Sequence, residues 1–505
     1  RRCARQRMTM CSRSVLLLVA VFVPTLVQSF ASHIIDVPGL SDLLSPNAVV
    51  YYEDDNSEAI DTLVSTRFYT TPFEPRIPTI LVLPAIVEDV QVSVRYAYDQ
   101  SLDFGVVGGG HGVGGLGHTS GLLIDMSGLT AVSVDTAAGL TTYQTGNNIG
   151  TVDLASKESG VYSPNGNCPQ VGVGAVLHGG YGAMTKTRGL SIDNVVAYQV
   201  VTRTGELLSV TAESDSELFW GLRGAASMLG VVTEITIRHF PVDDHYGGSI
   251  IFTNVSALPK LVAYVNDNAL DQINEFHVRF SVFSAPPPAI IVVEVTLWGN
   301  GDAFAALGGK EAVINGLIAA GEVPIAVNTV AANAYYEQQS FLGPIVADAP
   351  RGFNEYALNS ATTTSFPVAA AQVVADAFAG NVPLGTIFFL HGYGGAFSAV
   401  GASDTAYAGR DMKWDFVSQI SFPPDVPEAA AAGLSSATDA LHRAIEEAVG
   451  EQDLSPHGYL NWGMNEAAHI RKAFGDNLER LLELKQALDP TNFFHRTYDL
   501  GNVGA

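Results

Sequence analysis

Three features of this 505-residue chain predict an α+β fold. Short β-branched and aromatic runs alternate with amphipathic or Ala-rich stretches of helical length. Many of the 50 glycines gather in two stretches, 108–117 and 160–182, as tight turns and backbone-lined ligand sites require. Near residue 241 the pattern shifts to longer strand-like runs interleaved with Ala-rich segments. A chain of this length suits two domains better than one core.

The elements read in order as follows. TILVLP (79–84) predicts a strand and EDVQVSVRYAYDQ (88–100) a helix. Leu102 to Val107, Leu122 to Met126 and Ala131 to Val134 read as strands. Residues 194–201 and 207–210 bracket Thr204-Gly205, a hairpin signal, and Val231 to Phe240 alternates as a strand does. Beyond 241, HVRFSVF (277–283) and AIIVVEVTLWG (289–299) read as sheet, and 302–320, 366–379 and 428–449 as helices. Asn477 to Leu488 is amphipathic and stops at Asp489-Pro490.

Composition excludes several classes. With 47% apolar and 15% charged residues this is no disordered chain. A net charge of −25 argues against nucleic acid and against anionic membranes, which both need Lys/Arg-rich faces. Arg1 to Arg13 is basic, Val15 to Val27 is apolar but for Pro24 and Thr25, and Ser29-Phe30-Ala31 ends in small residues. That is the layout of a secretory signal peptide over 1–31. A membrane anchor is the alternative, though the run is short for one. Met8 or Met10 suits a start better than Arg1. The expectation is a secreted chain, not membrane-bound once mature, with Asn254-Val255-Ser256 as a glycosylation sequon. Cleavage would leave a charge of −30 and one cysteine of three, Cys168. An odd thiol in an oxidising compartment is either buried or chemically occupied.

Gly110, Gly112 and Gly115 match GxGxxG, but the loop runs through Gly117 to Gly121 into the strand-like LLIDM. A dinucleotide fold needs a helix there, so that reading is rejected. Backbone N–H groups of such a loop can still cradle a diphosphate. GxxxxGK[ST], HExxH and GxSxG are absent, and no metal centre is expected. His391 and His457 lack partners at ligand spacing, and Asp404, Asp411 and Asp415 beside Arg410 read as a solvated or ion-paired face.

At these residues a resemblance enters. VVGGGHGVGGLG (106–117) with LLIDMSGL (122–129) resembles the flavin pyrophosphate loop of berberine bridge enzyme-like FAD-linked oxidases, within the vanillyl-alcohol oxidase/PCMH-type FAD-binding family. Residues 167–196 and 217–237 resemble that family's second and third flavin motifs. Residues 391–410 are similar to its GGA…R segment, and 459–466 with 474–494 to its C-terminal signature. The resemblance implies a PCMH-type FAD-binding domain of two subdomains, over 33–240 and 460–505, with an antiparallel-sheet-plus-helices substrate domain inserted at 241–459. It implies FAD bound twice, at the 8α-methyl by His111 and at C6 by Cys168, which accounts for the odd thiol. Gly108, Gly109, Gly110 and Gly112 fall in the first motif. Gly172, Gly174, Gly179, Gly180 and Gly182 fall in the second, and Val232 in the third. Val171 falls where a small residue gates oxygen. Tyr459 takes the place of the base in a YxN motif that includes Asn461, and Gln419 is expected to point toward the flavin.

The chain departs from the family at Val107-Gly108, at Ala175 to Gly180, at Ala225 to Met228 and at Trp462, which helps to shape the substrate pocket. The expected activity is that of a monomeric secreted oxidase. It would convert the C1 hydroxyl of an oligosaccharide to a lactone, with dioxygen as acceptor and hydrogen peroxide as product. The departures favour, as an alternative, an aromatic or alkaloid-like metabolite. A non-catalytic binding module is a third reading, opposed by the intact His111 and Cys168.

Overall fold

The computed structural model describes residues 39–503 except 72–75, 114, 243–244, 270, 272, 285–287, 300–301, 333–334, 337, 339–352, 381, 423–425 and 464. The signal-peptide reading of 1–31 lies outside the described residues.

Three large sheets build the unit Leu40–Ala505. The first has the order Val49–Tyr52, Ile80–Leu83, Leu122–Asp125, Phe104–Val107, its last three strands parallel. Helix Val87–Asp99 supplies the crossover that parallel strands need. The second sheet is antiparallel, in the order Leu207–Val210, Val195–Val201, Val231–Arg238, Leu140–Gln144, Val132–Asp135. It contains the hairpin expected around Thr204-Gly205.

The third sheet has nine strands. Its central four are β1 (Phe276–Phe283), β2 (Ile290–Leu297), β3 (Thr386–Gly392) and β4 (Trp414–Phe422), in spatial order β2-β1-β3-β4. Strand residues alternate between faces. Val278, Phe280, Val293, Leu390 and Phe416 enter a core with helices Leu258–Asn268, Lys310–Ala320, Val368–Gly380 and Glu428–Val449. The opposite face is left for the site. Thr70–Thr71 also joins this sheet, pairing in parallel with Phe353–Thr363.

Helices Glu53–Arg67, Ile149–Lys157 and Ser216–Leu229 lie where the sequence reading gave none. The first carries its acids in its opening turn and Arg67 in its last, as the helix dipole favours. It buries only Ile60 and Val64 fully, too few to show a helical period. The third is capped by Asp215, which accepts from the Leu218 N–H at 2.9 Å.

The C-terminal helices Ala467–Phe474 and Leu478–Leu488 bury Ile470, Phe474 and Leu481 in one core with Tyr198, Leu222 and Ile235. Beyond them a buried ion pair fastens the tail. Lys485 Nζ donates to Asp489 Oδ2 and Met228 O, each at 2.7 Å, and to Phe494 O at 2.9 Å. Burial pushes the Asp489 carboxyl up, but Lys485 and the N–H groups of Phe493 and Phe494 outweigh it and hold it below its ordinary value. Removing one partner leaves a buried charge unanswered. Lys485→Met is expected to lower the unfolding free energy by about 3–5 kcal/mol, read as a lower urea midpoint at unchanged slope. An unmoved midpoint would show that the tail does not depend on the pair.

Candidate functional site

A cavity of about 810 Å³ opens between the glycine-rich loops, the nine-stranded sheet and the C-terminal tail. One wall begins where strand Phe104–Val107 ends and Gly108 to Gly112 turn away. Arg67 fixes that turn: its Nε and Nη2 reach both oxygens of buried Asp125, at 2.8 and 3.0 Å, and Nη2 also donates to Gly108 O. The Tyr69 N–H donates to Gly110 O at 2.7 Å. Gly110 has φ +67°, and a Cβ there would meet Arg67 O at 1.9 Å. Gly109 packs on Gly172 so closely that a Cβ on it would lie 2.4 Å from Gly172 Cα.

That contact joins the two glycine motifs, and His111 and Cys168 both line the cavity. The His111 ring stacks on Tyr69 with centroids 4.2 Å apart. Cys168 Sγ lies 3.2 Å from Gln170 Oε1, and burial pushes the thiol pKa up. Gly108, Gly109, Gly110, Gly112, Val171, Gly172, Gly174, Val232 and Asn461 line the same space, as do Gln419 and Tyr459.

Gly179, Gly180 and Gly182, expected at the cofactor, stand behind this wall instead. A Cβ on Gly179 would meet the Tyr459 ring at 2.7 Å, and on Gly180 the Ser191 Oγ at 1.9 Å. Gly182 lies against Asn165 O. These glycines make room for the residues that hold the wall.

Tyr459 opens the 3₁₀ turn Leu460–Trp462. Its Oη accepts from the Tyr181 backbone N–H at 2.8 Å and from Asn461 Nδ2 at 2.9 Å. Burial pushes its pKa up to about 12 despite these donors. Trp462 stacks on His391 at 5.4 Å and on Phe389 at 6.1 Å.

The sheet floor carries a row of which His391 and Asp415 were named from the sequence, neither as part of this site, and Glu294 and Arg279 were not. Register places Glu294, Arg279, His391 and Asp415 directly opposite one another across β2, β1, β3 and β4. All four are buried. Arg279 pairs with Glu294, and Asp415 with His391 Nδ1. Tyr393 Oη donates to Asp415 Oδ2 at 2.6 Å. Asp415 is therefore no solvated face, and His391 has its partner on the neighbouring strand. Asp411 does form an ion pair, with His457 at 2.8 Å, while Arg410 makes a two-pronged pair with Asp193. His178 also lines the cavity. Its Nε2 lies 2.7 Å from Ser227 Oγ, and burial lowers its pKa to about 4.

Two family models match the chain. Residues 78–211 match the family model for an FAD binding domain, and residues 458–497 the model described as berberine and berberine like. An FAD-linked oxidoreductase of Dictyostelium discoideum is 25% identical over 83% of this chain and 87% of its own. A xylooligosaccharide oxidase of Thermothelomyces thermophilus is 27% identical over 85% of this chain and 90% of its own. The crystal structure of 6-hydroxy-D-nicotine oxidase from Arthrobacter nicotinovorans superposes with a TM-score of 0.76, at 20% identity, over 92% of this chain and 99% of its own. With the flavin-type glycine loops and the PCMH-type α+β architecture in place, the chain carries the FAD binding domain and the berberine-like segment of the berberine bridge enzyme-like FAD-linked oxidoreductases.

Proposed function

We propose that this FAD-linked oxidoreductase tethers its cofactor through both His111 and Cys168, oxidises a CH–OH carbon and uses dioxygen as acceptor, giving hydrogen peroxide. The observation that carries the reading is the meeting of His111, Cys168, Tyr459 and Gln419 around one cavity. The residues present fit FAD: Gly108 to Gly112 offer a backbone cradle, and a Cβ on Gly174 would meet nothing within 4 Å. When bound, FAD accepts hydride from the substrate carbon and passes electrons to dioxygen. Val171 keeps a small apolar surface on the cavity beside Cys168.

In this reading Tyr459 hydrogen-bonds the reacting oxygen. As the expected base it would have to be ionised, and a phenol held up to about 12 is protonated at neutral pH. Two N–H donors already fill its lone pairs, so its own hydrogen is free for the substrate oxygen.

The substrate follows one of two readings. A sugar C1 hydroxyl follows from the xylooligosaccharide oxidase that matches nearly the whole chain. An aromatic or alkaloid-like metabolite is favoured by the floor, where Phe283, Ile290, Leu358, Ile387, Phe389 and Trp462 line the cavity. The hydroxyls of Ser284 and Thr386 on that floor both donate to Pro383 O. In this reading the mature enzyme is a secreted monomer; the exposure of Asn254 in its sequon supports export. Residues 33–240 and 460–505 are assigned to flavin and 241–459 to substrate. The core shared by the C-terminal helices and the five-stranded sheet supports that division.

A peroxide assay across cellobiose, xylobiose and 4-hydroxybenzyl alcohol decides between the substrates; silence with all three counts against both readings. Acid-precipitated wild type should stay yellow. His111→Ala and Cys168→Ala should each retain flavin, and the double variant should release it; a colourless wild-type precipitate would refute the tethers. Tyr459→Phe should keep its flavin and reduce it about 10²-fold more slowly, measured without oxygen. Reduction within about threefold of wild type would remove Tyr459 from the chemistry.

A further inference from the structure

The row Glu294, Arg279, His391, Asp415 holds four ionisable groups in the apolar floor of the cavity. Only Arg279 and His391 line the space; their acid partners lie to either side, behind the wall. Arg279 is answered by Glu294. Burial pushes the Glu294 carboxyl up although Arg279 lies beside it. The row thus sets two carboxyl groups against one guanidinium and one imidazole in a buried setting.

Asp415 fixes where a proton on His391 would go. One oxygen faces His391 Nδ1 and the other accepts from Tyr393 Oη. A carboxylate on Nδ1 selects the tautomer with its hydrogen there, leaving the Nε2 lone pair open. Among the described residues His391 Nε2 has no hydrogen-bond partner although it is buried, and neither has Trp462 Nε1. Both rings line the cavity, stacked on each other. A buried acceptor and a buried donor left unpaired on two stacked rings cost free energy until each finds a partner. An alcohol offers one to each, donating to Nε2 and accepting from Nε1–H. The other ionisable groups facing His391 are Arg279, Tyr181 and His277, the last held neutral by burial.

We infer that His391, oriented by Asp415, is the proton acceptor for the substrate hydroxyl, with Trp462 Nε1 donating to the same oxygen. The inference rests on the oxidase reading above. The substrate O–H bond breaks and its proton passes to Nε2. The C–H bond breaks with its electron pair leaving as hydride to the bound flavin, and a C=O bond forms. Asp415 is a positioning residue in this step, and Tyr459 remains a hydrogen-bond donor.

The first test needs no substrate. In ¹⁵N-histidine-labelled holoenzyme at neutral pH, with His391→Gln used for assignment, His391 should show a protonated Nδ1 and a bare Nε2. In Asp415→Asn the amide donates to Nδ1 and should move the hydrogen to Nε2. A wild-type ring already carrying its hydrogen on Nε2 overturns the proposal. The second test uses whichever of cellobiose, xylobiose or 4-hydroxybenzyl alcohol yields peroxide. His391→Gln should stay yellow, reduce its flavin at least about 10²-fold more slowly and lose the acid limb of the rate–pH profile. Asp415→Asn should slow reduction likewise, whereas Tyr459→Phe should keep the limb. Reduction by His391→Gln within about threefold of wild type overturns the proposal. If none of the three probes reduces wild type, the substrate reading has failed, and the tautomer alone decides the role of His391.

Discussion

The arrangement depends on one backbone contact, Gly109 against Gly172. Neither tolerates a Cβ, because the atom would fall 2.4 Å from the other residue's main chain. Two segments about sixty residues apart thus meet without side chains between them. Everything at that wall follows from the approach. His111 comes two residues after one glycine and Cys168 four residues before the other, so both reach one cavity. Arg67 and Asp125 make the contact durable, since a two-pronged pair with Asp125 buried holds the loop from outside the cavity lining.

The second constraint comes from the sheet. Its helix-covered face is largely apolar, and the same alternation delivers four ionisable side chains to the opposite face in one line. Isolated charges there would be prohibitively costly. Each instead has an opposite or titratable neighbour on the next strand. A purely apolar floor would pack at lower risk, because buried ion pairs seldom repay their desolvation.

The sequence carried the glycine wall and hid the row for the same physical reason. A glycine loop announces itself locally: seven glycines in ten residues have few structural uses, and the rejection of a dinucleotide fold needed only the strand LLIDM behind them. Arg279, Glu294 and Asp415 each stood visibly as a charge in a strand-like run. Their meeting depends on the pairing of β1 with β3 across more than a hundred residues, which no local pattern encodes. Gly179, Gly180 and Gly182 belong to a motif that shows that a backbone is crowded, and not by what. Here the crowding groups are Tyr459, Ser191 and Asn165. The helix Glu53–Arg67 escaped because it shows too little of the apolar periodicity on which such readings rest.

Trp462 connects these layers. It departs from the tyrosine expected at its position in the family, and alone it reads as a change in pocket shape. In the structure its indole lies over His391 and Phe389, so the residue that follows Tyr459 and Asn461 from the flavin side also roofs the charged row from the sheet side. An indole covers more imidazole than a phenol does, and its N–H adds a donor where a phenol would bring a hydroxyl. Water excluded from a histidine–aspartate pair leaves their attraction less screened. The departure at 462 and the buried pair of β3 and β4 therefore form one local solution: the aromatic roof keeps the pair dry.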